Sequence, residues 1–368
     1  MTRTGQVRLR ISAPQTERLS PFRRSQFPGL MTSKIGVVPR AGKAMRRRDF
    51  LTLLGGAAAG SPLAARAQQP VPVIGFLSSF SQTQSARPIA EFRRGLNDSG
   101  LTEKAFTIEY RFADGQYDRL PSLAAELTHR PVDLIFAAAP PAALAAKAAT
   151  TAIPIVFVVG FDPVTAGLVA SLSRPGGNVT GMTLFSNPLA QKRLEILLDL
   201  VPKASVIAML VNPVSPDSAP EIKAVQEMTN QRRVHLQMLS ATSLNEIDAA
   251  VTALMEKRPH ALMVASDPLY LTRPNEIVAS IARLALPAIY PFREFPAAGG
   301  LISYGTNRAI SYRQAGVYAA RILKGTKPAD LPVMQPATFE LLINLRTAQA
   351  LGLTIPPTLL ALADEVIE

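Results

Sequence analysis

Three dipeptides place an acid or amide directly before proline: Asp162-Pro163, Asn212-Pro213 and Asp267-Pro268. Each follows a short apolar run, where such a side chain caps a helix that opens on proline. Capping accounts for the Asp or Asn. It does not account for the aromatic residues nearby, Phe80, Phe161, Tyr270, Tyr290 and Phe292, which would be unusually wet unless a ligand or a second lobe covers them. The chemistry these residue types offer is binding. Residues 68–368 contain no G-x-S-x-G elbow, no Walker loop and no G-x-G-x-x-G, and no His falls in these loops to act as a base. With no Cys there are no disulfides, thiolate ligands or cysteine nucleophiles. His129, His235 and His260 sit at the ends of separate apolar segments with no i,i+4 pair, so neither a metal nor a cofactor is expected.

The elements that must position these residues alternate from Val71 onward between short β-branched runs and longer amphipathic ones, the signature of parallel sheets covered on both faces. Strands are expected at Val73 to Leu77, Thr107 to Phe112, Val132 to Ala137, Ile155 to Val159 and Asn178 to Leu184. Helices are expected at Arg87 to Asp98, Leu120 to Leu127 and Pro141 to Ala149. A second unit repeats the pattern, with helices at Gln191 to Leu200, Ala219 to Gln231, Leu244 to Glu256 and Asn275 to Leu284. Its strands are expected at Ser205 to Val211, Val234 to Leu239, Ala261 to Ala265 and Ala288 to Tyr290. Two open α/β sheets imply two lobes, and ligands bind outside the carboxyl ends of such strands. The carboxyl-end loops hold Ser78, Ser79, Phe80, Pro141, Ala142, Phe161 and Asp162 in the first unit. Asn212, Ser215, Ser266, Asp267 and Tyr290 lie in those of the second.

Residues 1–67 are different in kind. Of the 39 Lys and Arg, 13 lie here, against only Glu17 and Asp49. Residues 68–368 are therefore nearly neutral, with 26 basic and 25 acidic side chains, which disfavours a nucleic-acid partner. Residues 1–44 lack sustained apolar periodicity and are expected to be a disordered leader or the product of a mis-set start, with translation beginning at Met45. Residues 45–67 read as a cleaved signal peptide. Met45-Arg46-Arg47-Arg48 is basic, Leu51 to Leu63 is apolar but shorter than a membrane span, and Ala65-Arg66-Ala67 fits the cleavage rule. Arg47-Arg48-x-Phe50-Leu51 resembles the twin-arginine export motif. Export to the periplasm follows.

Several longer stretches resemble a known family. Pro141 to Thr150, Ile153-Pro154-Ile155-Val156-Phe157, Ser173-Arg174-Pro175-Gly176-Gly177-Asn178, Pro287-Ala288-Ile289-Tyr290, Ala298-Gly299-Gly300-Leu301 and Ile322 to Pro332 are similar to the ABC-transporter substrate-binding proteins of the tryptophan/tyrosine-binding type. The resemblance implies a type I periplasmic-binding-protein fold, with two open, mostly parallel α/β lobes. It also implies three crossings, placed near Asn187, Gly300 and Val333. Residues 71–186 and 301–332 then form lobe 1, and 187–300 and 333–368 form lobe 2. The implied function is to close on a small carboxylate-bearing ligand, amino-acid-like or aromatic, and deliver it to an ABC permease in the inner membrane, as a monomer. Backbone N–H groups at the start of the Pro141 helix, with Ser78 and Ser79, would hold the carboxylate. Asp267, faced by Asp162, would hold an ammonium, and the aromatics would sandwich the remainder. Tyr304, just past the crossing at Gly300, would line the cleft. The competing readings are an exported two-domain α/β enzyme and a ligand-responsive regulator, which would need an amino-terminal helix-turn-helix that residues 1–70 do not supply.

Overall fold

A computed structural model describes residues 71–186 and 188–368. The leader and export signal expected over residues 1–67, and the crossing at Asn187, lie outside the described residues.

Five parallel strands make the first sheet: β1 (Val73–Ser78), β2 (Thr107–Phe112), β3 (Leu134–Ala138), β4 (Ile155–Val159) and β5 (Val179–Thr183), in the order β2-β1-β3-β4-β5. Strands β3, β4 and β5 are buried at every position, as a sheet covered on both faces requires. Helices α1 (Gln82–Asp98), α2 (Leu120–Thr128) and α3 (Pro140–Ala149) provide cover. The first of these starts five residues before the expected Arg87, because Ser81 caps it by accepting the Gln84 N–H at 3.4 Å.

The second sheet has seven strands in the order β12-β11-β10-β9-β8-β6-β7. They are β6 (Val206–Val211), β7 (His235–Ser240), β8 (Ala261–Val264), β9 (Ala288–Tyr290), β10 (Ile302–Gly305), β11 (Glu340–Asn344) and β12 (Glu365–Ile367). All neighbours are parallel except β10 and β11. Between these strands run α4 (Pro188–Leu200), α5 (Ser218–Arg232), α6 (Leu244–Lys257), α7 (Pro268–Thr272), α8 (Pro274–Ala282), α9 (Glu294–Ala297) and α10 (Arg308–Leu323).

Residues 301–305 belong to the second sheet, not to lobe 1 as expected. Ile302 and Ser303 pair with Ile289 and Tyr290 on one side and with Ile343 and Leu342 on the other, and Leu301 and Ile302 are buried in that lobe's core. The second crossing therefore falls at Thr306 and Asn307, after which α10 returns to the first lobe. Gly300 is a packing glycine rather than a joint, since a Cβ there would lie 2.7 Å from the Tyr290 ring and 2.9 Å from the Phe295 carbonyl oxygen. Val333 and Met334 still belong to the first lobe's edge: Val333 N–H donates to Leu172 O, and Met334 N–H to Gly181 O. Only after Met334 does the chain cross to β11. The crossings touch one another, for Thr306 Oγ1 donates to Leu184 O at 2.7 Å and Thr183 N–H to Met334 O at 2.9 Å.

Candidate functional site

The carboxyl ends of the two sheets face each other across one cleft. At its centre is a cavity of about 30 Å³, walled by Phe80, Pro140, Gly160, Arg308 and Tyr312 on the first-lobe side and by Asp217, Ser266, Asp267 and Phe292 on the other. A larger apolar chamber of about 710 Å³ adjoins it past Gly160, lined by Phe161, Phe185, Pro216 and Pro220 among others.

Asp267 organises the second-lobe wall. It ends the loop after β8 and caps α7, its Oδ1 accepting the Leu269 N–H at 2.8 Å. The same oxygen accepts Asn212 Nδ2 at 3.2 Å and, from the first lobe, the Tyr117 hydroxyl at 2.8 Å. Its other oxygen, Oδ2, is buried and has no hydrogen-bond partner among the described residues. Burial pushes the carboxyl up, and the nearby Ser215 hydroxyl together with these donors pulls it part of the way back. Burial and the adjacent Asp267 likewise keep the Tyr117 hydroxyl protonated, so it serves as a donor.

Asp217 was not legible as a site residue. It precedes α5 at the usual capping position, but its side chain caps nothing; the buried Oδ1 has no partner among the described residues, and Asp217 lines the cavity wall. A Cβ on Gly160 would lie 3.2 Å from Asp217 Oδ2, so the carboxyl rests against the first lobe. Burial, with Glu221 and Asp267 adding repulsion, raises it well above the ordinary aspartate range. One turn further on, Glu221 is fully buried with Arg193: Nη2 meets Oε1 at 2.6 Å, while Oε2 accepts the Ser266 N–H at 3.0 Å. Of these three buried carboxyls, only Glu221 has an ion-pair partner among the described residues, Arg193.

Arg308 is the basic residue on the central cavity. Its guanidinium carbon lies 5.1 Å from the Phe80 ring, 5.3 Å from Phe292 and 5.7 Å from Tyr312, and Nη1 donates to Glu294 Oε1 at 3.0 Å. A cation at a helix start opposes the helix dipole, which was the available signal for a role beyond the helix itself. Arg193 carried a similar signal, because it lies on the same face of α4 as Ala190, Leu194 and Leu197.

Of the residues expected in the cleft, Phe80, Ser266 and Asp267 line the central cavity, and Asn212 binds Asp267 from behind. Ser215 is buried in the same turn, near the Asp267 carboxyl, its hydroxyl making no hydrogen bond among the described residues. Ser78 is used internally, 3.1 Å from Ser85 Oγ, whereas the buried Ser79 hydroxyl has no partner among the described residues. The remaining expectations need correction. Asp162 does not face Asp267: it is exposed, and its oxygens accept Val164 N–H and Thr165 Oγ1 in a local turn at the mouth of the larger chamber. Neither Asp162-Pro163 nor Asn212-Pro213 opens a helix; both form Asx turns, and only Asp267-Pro268 is a cap. Pro141 and Ala142 are buried, with Ala142 in the first lobe's core. Prolines at 140 and 141 also leave that helix without its first two N–H donors, which weakens it as an anion site. Tyr290 stacks on Phe295 at 4.8 Å, and Tyr304 stands on β10 with its ring 6.2 Å from Phe339; neither lines either cavity. None of Phe80, Phe161, Tyr270, Tyr290 and Phe292 is more than 4% exposed, because the protein itself covers them.

Known proteins share this architecture. A tyrosine-binding protein of Clostridioides difficile (strain R20291) is 28% identical over 270 residues, covering 71% of this chain and 75% of the relative. Among solved structures, an ABC domain from Streptococcus pneumonia in complex with L-Trp has a TM-score of 0.74 at 27% identity, covering 80% of this chain and 99% of that one. A substrate binding protein with adhesive properties from Clostridium difficile, in a ligand-free, open structure, is also 27% identical but has a TM-score of 0.59, with 81% and 99% covered. At equal identity the present lobes superpose better on the L-Trp complex than on the open form. The fold is that of the type I periplasmic binding proteins. Residues 71–367 match the description ABC transporter substrate binding protein, a span that takes in both sheets and every crossing. Because the likeness extends over the whole two-lobed body rather than one sheet of it, this chain belongs to the ABC transporter substrate binding protein family.

Proposed function

We propose that the protein is the exported binding component of an ABC uptake transporter, closing its lobes on a small molecule that carries a primary ammonium and delivering it to a membrane permease. The observation that carries this reading is the pair of buried carboxyls, Asp217 and Asp267, each with an unpartnered oxygen at a cavity between the lobes. A buried acid without a partner is costly, and a cationic group entering the cleft relieves that cost. Asp267 is already bridged to the first lobe through Tyr117, so a ligand held there favours the closed arrangement over the open one. Arg308, the cation on the opposite wall, is the group suited to a ligand carboxylate, in competition with Glu294. The adjoining apolar chamber suits an aromatic or aliphatic side chain. A tyrosine-binding relative and an L-Trp complex among its neighbours make an aromatic amino acid the first ligand to try. The export signal read at residues 45–67 is consistent with delivery from outside the cytoplasmic membrane.

Native mass spectrometry of protein purified from the periplasm, followed by calorimetry with L-tyrosine and L-tryptophan, tests the reading. The expected result is a bound amine recovered chemically unchanged. Recovery of a converted product would replace transport with catalysis.

A further inference from the structure

Asp217 is the buried group the proposed binding scheme leaves least explained. It stands where a helix cap belongs and caps nothing. The residue is 1% exposed, its Oδ1 has no partner among the described residues, and Gly160 of the first lobe packs against its carboxyl. The charged and titratable groups around it come from every neighbouring element. On its own helix is Glu221, already matched by Arg193 of α4; Asp267 comes from the loop after β8; and Tyr117 and Arg308 approach from the first lobe. Asp267 receives three donors on one oxygen and is the acid equipped to stay ionised, whereas Asp217 receives none. Two adjacent buried carboxyls of which one is solvated by donors and the other is bare do not both keep a charge.

We propose that Asp217 carries a proton while the cleft holds no ligand and surrenders it when a ligand ammonium enters, so that binding releases one proton to solvent. This inference rests on the reading that the ligand is an amine. The step balances without a further reactant: the neutral carboxylic acid and the ammonium become a carboxylate–ammonium pair, and the proton passes to buffer. Asp217 thereby becomes a charge-selective gate. A neutral ligand of the same shape gains nothing from it, and a cationic one meets an acid that ionises on demand. The raised proton affinity that burial gives this side chain is consistent with the scheme.

The experiment titrates L-tyrosine, L-tryptophan and tyramine into the full protein by calorimetry, in buffers of differing ionisation enthalpy and across pH 5 to 9. The expected result is release of up to one proton per ligand bound and an affinity that rises as much as about tenfold per pH unit until Asp217 ionises in the free protein. In Asp217→Asn both the released proton and that pH slope should vanish. Wild-type binding without buffer dependence, or an unchanged proton count in Asp217→Asn, would overturn the proposal. A second measurement needs no ligand. In protein carrying carbon-13 in its aspartate carboxyls, the resonance missing from Asp217→Asn should titrate well above the ordinary aspartate range. A resonance that titrates within that range overturns the proposal whatever binds. If none of the three amines binds at any pH, the reading of the ligand class fails, and the NMR titration still decides the Asp217 proton.

Discussion

Asp267 and Asp162 looked interchangeable in the sequence, each an aspartate before proline at a strand end, and the structure gives them different work. Asp267→Asn keeps a competent helix cap and removes the buried charge. Ligand affinity is expected to fall roughly 10- to 100-fold, the worth of a charged hydrogen bond of about 1.5–3 kcal/mol, with little change in melting temperature. Asp162→Asn should leave affinity within about twofold, since its oxygens serve only a surface turn. Calorimetric titration of both variants beside differential scanning calorimetry separates the two. Asp217 makes a further prediction, about stability. Its folded-state proton affinity is raised, so its contribution is fully present below the unfolded aspartate value near ~3.9 and is lost as pH rises toward the folded value, because only the unfolded chain then ionises. Asp217→Asn escapes that loss, and its stability advantage over wild type in urea unfolding should widen from about pH 4 upward, by at most ~1.4 kcal/mol per pH unit. Of the hidden partners, only Arg193 is readable from its position in the sequence. Arg193 interrupts an apolar helix face, which marks buried charge, whereas Asp217 and Glu221 at one-turn spacing read like any exposed acidic pair. Nothing local distinguished a capping aspartate from one that faces a cavity, because that depends on what the other lobe places opposite it.

Among the elements, strands and helices were read from periodicity because each buries one face or both, and their order survives in the structure with shifts of a few residues. The segment at Leu301 joins the second sheet for a physical reason. A buried strand of four residues carries no mark of the sheet it joins, and its allegiance is set by β9 and β11, which flank it. The contact between α1 and α10 was equally invisible. Here Gly95 and Gly316 let two backbones approach so closely that a Cβ on Gly316 would lie 2.0 Å from the Phe92 carbonyl oxygen. Gly316→Ala therefore has to push the helices apart, at an expected cost of about 1–3 kcal/mol in urea unfolding. Because α10 also carries Arg308 and Tyr312 to the cleft, the same variant should weaken ligand binding, which calorimetry would detect.

Over the described residues, the contacts that tie one lobe to the other across the cleft include the Tyr117 hydroxyl on Asp267, Arg308 on Glu294, and the Gln84 side-chain amide on the Thr272 carbonyl. Each favours closure independently of ligand. Tyr117→Phe removes one and should shift the free protein toward a more open form, seen as a larger radius of gyration in small-angle scattering, with affinity reduced by the same population change. An unchanged radius and unchanged affinity would mean that Tyr117 only packs. The crossings on the other side of the cleft have a mechanical consequence. Leu184, Thr306 and Met334 belong to three separate passes of the chain, stitched side by side by Thr306 Oγ1 on Leu184 O and Thr183 N–H on Met334 O. Strips clamped in parallel flex easily about the axis that runs across them and resist torsion about any other, as a leaf spring does. Lobes joined in this way are expected to rotate mainly about one axis, a closure that would bring Gly160 back against Asp217 each time.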